Sequence, residues 1–111
     1  MNAQENFTSQ SEGDMKTREE ILNILSQEKS KLETRYKLRR LALFGSYARG
    51  EETEQSDVDI LVDVDPSIGL EFASLGDELE HLLGERVEVV SIRAIKPRNW
   101  KLIESELVDV E

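Results

Sequence analysis

Cysteine is absent from these 111 residues, so neither a disulfide framework nor a thiolate metal centre is available. A single histidine, His81, leaves no imidazole cluster for zinc, and it falls off the apolar side of its segment, where an exposed position is expected. No stretch approaches the length of a membrane span, and the N-terminus has none of the apolar core of a signal peptide. No membrane association is therefore expected, and the expected location is cytoplasmic. Basic residues are also short: 14 Lys and Arg stand against 24 Asp and Glu, for a net charge of −10. A surface of that sign repels a phosphate backbone and argues against direct nucleic-acid binding. It leaves room for a basic protein partner or a substrate reached through bound cations, although solubility alone accounts for it equally well.

A hydrophobic share of 38% suits one compact domain with a modest core. Residues 1–14 are polar apart from a few scattered apolar side chains and read as a flexible lead, leaving 15–111 as the folded domain. Thr17 and Glu20 have capping-box spacing, and Ile21, Leu22, Leu25 and Leu32 follow at helical intervals, predicting a helix from about Arg18 to Thr34. Leu38 to Phe44 reads as a strand ended by Gly45, and Ser46 to Gly50 as a short helical turn. Val58, Ile60, Val62 and Val64 alternate with acidic residues at the two-residue period of a strand, which Pro66 ends. Leu70 to Leu83 predicts a helix with Phe72, Leu75, Leu79, Leu82 and Leu83 on one side and Gly84 at its end. A valine-rich strand at Arg86 to Ser91, a helix opened by Pro97 and a short edge strand within Leu107 to Val110 complete the chain. The fold class is α/β: a small mixed sheet with helices mainly on one face and the site on the open face.

The chemistry is concentrated between Leu43 and Val62. Residues two apart on a strand point the same way, so Asp57 and Asp59 project side by side. Carboxylates held that close repel each other unless a cation or water intervenes, and an all-oxygen site favours Mg²⁺ or Mn²⁺. Separated from Asp57 by ten residues, Gly45-Ser46 ends a strand just before a helical turn. Its backbone N–H groups and the Ser46 hydroxyl suit a triphosphate tail; Gly45 permits close backbone approach, and Arg49 offers a bidentate phosphate contact. Arg49 has a structural alternative in pairing with Glu51 and Glu52. Asp63 and Asp65 fit a surface and strand end better than a site, and Trp100 fits a core or interface anchor. Ser46 lacks a Gly-x-Ser-x-Gly elbow, which argues against a hydrolase nucleophile.

The string Gly45-Ser46-Tyr47-Ala48-Arg49-Gly50 with Ser56-Asp57-Val58-Asp59-Ile60-Leu61-Val62 resembles the signature of the DNA polymerase beta-like nucleotidyltransferases, and most of all the minimal nucleotidyltransferases (MNT). The resemblance runs from roughly Arg18 to the C-terminus. It implies a third carboxylate on a later strand, where this chain has Glu88 in place of the common Asp. It further implies two Mg²⁺ ions held by Asp57, Asp59 and Glu88, with ATP as substrate and Gly45, Ser46 and Arg49 on the triphosphate. The acceptor it implies is a tyrosine of a cognate HEPN-domain ribonuclease toxin, making the chain the antitoxin of a toxin–antitoxin pair. Larger nucleotidyltransferases add a helical domain that this length does not accommodate, so a partner chain is expected to complete the site. Two rivals remain at this point: an antitoxin that acts by binding alone, and a small-molecule nucleotidyltransferase of the aminoglycoside-modifying type.

Overall fold

The computed structural model describes residues 15–111, and the expected lead at 1–14 lies outside the described residues. Helix α1 spans Arg18–Tyr36. Thr17 accepts from the Glu20 N–H at 3.1 Å while the Glu20 side chain accepts from the Thr17 N–H at 2.8 Å, so the predicted capping box is present. The helix runs two residues past Thr34 because Tyr36 finds a buried position, and Lys37 then ends it at φ 51°. Strand β1 (Leu38–Phe44) leads directly into the short helix α2 (Gly45–Arg49), and β2 covers Val58–Val64. Helix α3 (Glu71–Leu83), strand β3 (Val87–Ser91), helix α4 (Pro97–Glu104) and the short strand β4 (Val108–Asp109) follow.

The sheet order is β3-β2-β1-β4. Strands β1 and β2 are antiparallel, β4 runs antiparallel along the other edge of β1, and β3 lies parallel to β2. The parallel pair needs a crossover, which α3 supplies. On one face, Leu41, Leu43, Ile60 and Val62 join Ile21, Leu25, Leu32, Leu75, Leu79 and Leu83 in a continuous core. That face carries α1 and α3, as the apolar spacing predicts. The two helices are also tied at the surface: Tyr36 Oη donates to Glu78 Oε1 at 2.7 Å, and Arg35 Nη1 donates to the same oxygen at 3.0 Å. The register of β1 on β2 shifts between Leu38 and Arg40, an irregularity with no counterpart in the hydrophobic pattern.

The opposite face carries the residues between those core positions, namely Arg40, Ala42, Asp59, Leu61, Asp63 and Glu88. Ala42 and Leu61 pair across the strands and are fully buried, whereas the charged positions are partly or wholly open. Trp100 is half-buried on α4 and His81 is exposed on α3, both in keeping with expectation. Among the described residues no helix is long and apolar enough to cross a membrane. Because α3 is held by its leucine stripe, Leu79→Ala (0% exposed) should lower stability in urea unfolding by about 2–5 kcal/mol. Leu70→Ala, just before the same helix and 94% exposed, should change it by less than about 0.5 kcal/mol.

Candidate active site

The site forms where β1 ends. Phe44 pairs with Asp59 in the antiparallel register, and the chain then turns at Gly45 with φ +78° to enter α2. A Cβ on Gly45 would fall onto Asp59 Oδ2 and lie 3.0 Å from its Cγ. The Asp59 carboxylate therefore lies against the bare Cα of Gly45, and both backbone conformation and space demand glycine. Tyr47 and Ala48 anchor α2 in the core, Arg18 Nη1 donates to the Ala48 carbonyl at 2.9 Å, and Gly50 at φ +74° closes the turn. Those anchors leave Ser46 half-buried and Arg49 exposed beside Asp59.

Asp57 precedes β2 by one residue and lies near enough for its charge to act on Asp59, while the parallel register sets Glu88 directly beside Asp59. The sheet thus brings the three predicted carboxylates to one face at one end. Asp59 is half-buried; Asp57 and Glu88 are exposed. Burial first, then the neighbouring Glu88 and Asp57 carboxylates, push the Asp59 carboxyl up to about 6, against the pull of Arg49. The three are not drawn into a closed cage. Among the described residues no group of three or more His, Cys, Asp or Glu is arranged to hold a metal ion. Asp57 instead pairs through Oδ1 with Arg86 Nε at 3.0 Å, and Arg86 Nη2 donates to the Gln55 carbonyl at 2.8 Å.

Two further residues enter the site without a local sequence signal. Arg86 is one. Glu106 is the other: its Oε1 accepts from the Gly45 N–H at 2.9 Å and its Oε2 accepts from Arg49 Nη1 at 3.0 Å. Arg49 also donates from Nε to Glu51 Oε1 at 2.9 Å, so the expected pairing with Glu51 is present alongside the position beside Asp59.

The raised Asp59 carboxyl has a measurable consequence for stability. The folded chain holds this proton more tightly than the unfolded chain, so the group's contribution is full below about pH 4 and is lost as pH rises through about 6. Asp59→Asn removes the loss. In chelator-treated buffer it should raise stability near pH 8 by about 1–2 kcal/mol after solvent screening, with the gain fading toward pH 4 in paired urea titrations.

A nucleotidyltransferase domain profile matches residues 18–110. A Methanocaldococcus jannaschii chain provisionally named protein adenylyltransferase MJ1379 is 45% identical over 101 residues, covering 86% of this chain and all of that one. Protein adenylyltransferase MntA of Thermococcus cleftensis is 46% identical over 98 residues, covering 86% of this chain and 98% of that one. A solved structure provisionally named a minimal nucleotidyltransferase superposes with a TM-score of 0.70 at 36% identity, covering 84% of this chain and 95% of that one. A complex of tri-AMPylated Shewanella oneidensis HEPN toxin with MNT antitoxin contributes a chain of the same fold. Its TM-score is 0.55 at 21% identity, with 81% of this chain and 71% of that one covered. A Gly-Ser turn packed onto the second Asp of an Asp-x-Asp strand is thus embedded in a match spanning nearly all the described residues, and the chain belongs to the nucleotidyltransferase family, among its minimal members.

Proposed function

We propose that the chain transfers AMP from ATP to a hydroxyl, a tyrosine by the family resemblance, of a HEPN-domain toxin partner and thereby acts as its antitoxin. The observation that carries the reading is the contact of Asp59 with Gly45, which joins an acidic cluster to a turn rich in phosphate donors. The protein adenylyltransferase names of the relatives and the HEPN toxin–MNT antitoxin complex of like fold support the acceptor class. Cytoplasmic action and ATP as the nucleotide belong to the same proposal.

The residues fit Mg²⁺ in kind. Asp57, Asp59 and Glu88 offer only oxygen, and the burial and mutual repulsion that push Asp59 up are penalties on its charge that a hard cation offsets. When bound there, Mg²⁺ supplies charge neutralisation on the triphosphate and lowers the cost of ionising the acceptor hydroxyl. Asp57 takes up this role by leaving Arg86, and that exposed ion pair costs little to break. Ser46, the Gly45 N–H and Arg49 orient the triphosphate so that the α-phosphorus faces the acceptor. The acceptor oxygen forms a bond to that phosphorus as the bond to the β-phosphate oxygen breaks and pyrophosphate leaves. Glu88, exposed on the same face, accepts the hydroxyl proton. The protein's share of the work is positioning and charge compensation.

Incubation with ATP, Mg²⁺ and the cognate HEPN protein, followed by intact mass, tests the reading. The partner should gain one or more AMP units, and Asp57→Asn with Asp59→Asn should reduce that gain at least about 10²-fold. A toxin silenced equally by the double variant, with no mass gain in either case, would leave a binding antitoxin as the correct description. Label appearing on an aminoglycoside and not on protein would favour the small-molecule enzyme.

A further inference from the structure

Two of the groups assigned to the triphosphate, the Gly45 N–H and Arg49, are already engaged by a carboxylate. Glu106 accepts from the Gly45 N–H through one oxygen and from Arg49 Nη1 through the other, at 2.9 and 3.0 Å. One planar anion thus bridges a backbone donor and a guanidinium, as two oxygens of a phosphate group do. We infer that Glu106 is an internal stand-in for phosphate: it occupies the anion-binding donors of the nucleotide-free chain and must swing away for a nucleoside triphosphate to bind. This rests on the reading of Gly45 and Arg49 as triphosphate ligands given above.

Glu106 lies in the turn between α4 and β4, two residues ahead of the strand. Strand β4 pairs Ala42 with Asp109 and Leu43 with Val108, and the turn just before it carries Glu106 to the Gly45 N–H. The strand is held independently of the contact. The Val110 N–H donates to the Leu41 carbonyl at 2.9 Å, Lys29 Nζ donates to the Val110 carbonyl at 2.8 Å, and the Val110 side chain is buried. Arg40 adds a two-point ion pair to Asp109, at 2.8 and 3.0 Å. The backbone can therefore stay in place while the Glu106 side chain rotates out. Its negative charge beside Asp59 also opposes an incoming triphosphate, so the contact lowers nucleotide affinity and keeps Gly45 and Arg49 arranged between turnovers.

ATP binding in the presence of Mg²⁺, measured by calorimetry on the full chain, tests the inference. Glu106→Gln and Glu106→Ala should each bind ATP about tenfold more tightly than wild type, with adenosine affinity unchanged. In the wild-type chain, the Glu106 carboxyl ¹³C signal should shift as ATP saturates, a readout that needs no variant to fold. Wild-type binding with unchanged or weaker affinity in the variants, or a Glu106 signal indifferent to ATP, would overturn the stand-in role while leaving the triphosphate reading intact. Failure of all three folded proteins to bind ATP would overturn both.

Discussion

The approach of the Asp59 carboxylate to the bare Cα of Gly45 is the constraint on which the site depends. The contact exists because β1 and β2 are antiparallel neighbours in a register that sets Phe44 opposite Asp59, one residue before the turn. Moving that register by one residue would send Asp59 into the leucine core and a core residue onto the open face. Much of the remaining architecture maintains this register. Helices α1 and α3 cover the apolar face, the buried Tyr47 and Ala48 fix the turn after Gly45, and the parallel β3 delivers Glu88 beside Asp59. Strand pairing sets Asp59 against Gly45 and Glu88 beside Asp59, with Asp57 one residue ahead of β2.

The arrangement works against folding at neutral pH. Three carboxylates meet on one face, and Asp59 is partly withdrawn from water, so its ionised form is disfavoured. The chain meets this with its own opposite charges. Arg86 pairs with Asp57, Arg49 lies near Asp59, and Glu106 in turn occupies Arg49 and the Gly45 N–H. Each of these is a partly exposed contact of modest strength. On the proposed function, cation and triphosphate would bring the same charges from outside, and ligand binding would exchange internal partners for external ones. On that proposal the backbone of the site stays in place while the Asp57 and Glu106 side chains change partners, and a fixed backbone frame is what electrostatic catalysis requires.

Much of this was legible in the sequence because its signals are local. The capping box at Thr17, the alternation through β2, the leucine stripe of α3 and the Gly45-Ser46 to Asp57-x-Asp59 spacing each lie within one or two elements. Glu88 followed from resemblance, and the parallel register explains why a residue so far along the chain arrives beside Asp59. What stayed hidden depends on long-range pairing. Glu106 reaches Gly45 from a turn just ahead of a two-residue strand, too short to carry a periodic signal. Arg86 lies just ahead of a valine-rich strand and reads locally as an ordinary surface cation. The irregularity between Leu38 and Arg40 leaves no trace in the apolar pattern, because Arg39 and Arg40 both read as surface residues.

Asp59 lies in a crowded, partly buried anionic cluster, and the proposed function requires that cluster to accept a divalent cation. Titration of its side-chain carboxyl by ¹³C NMR, with and without Mg²⁺, tests that claim most directly. A midpoint near 6 without metal is expected, with a downward shift of about a unit or more when Mg²⁺ is added. A midpoint at the ordinary aspartate value of about 4, unmoved by Mg²⁺, would contradict it.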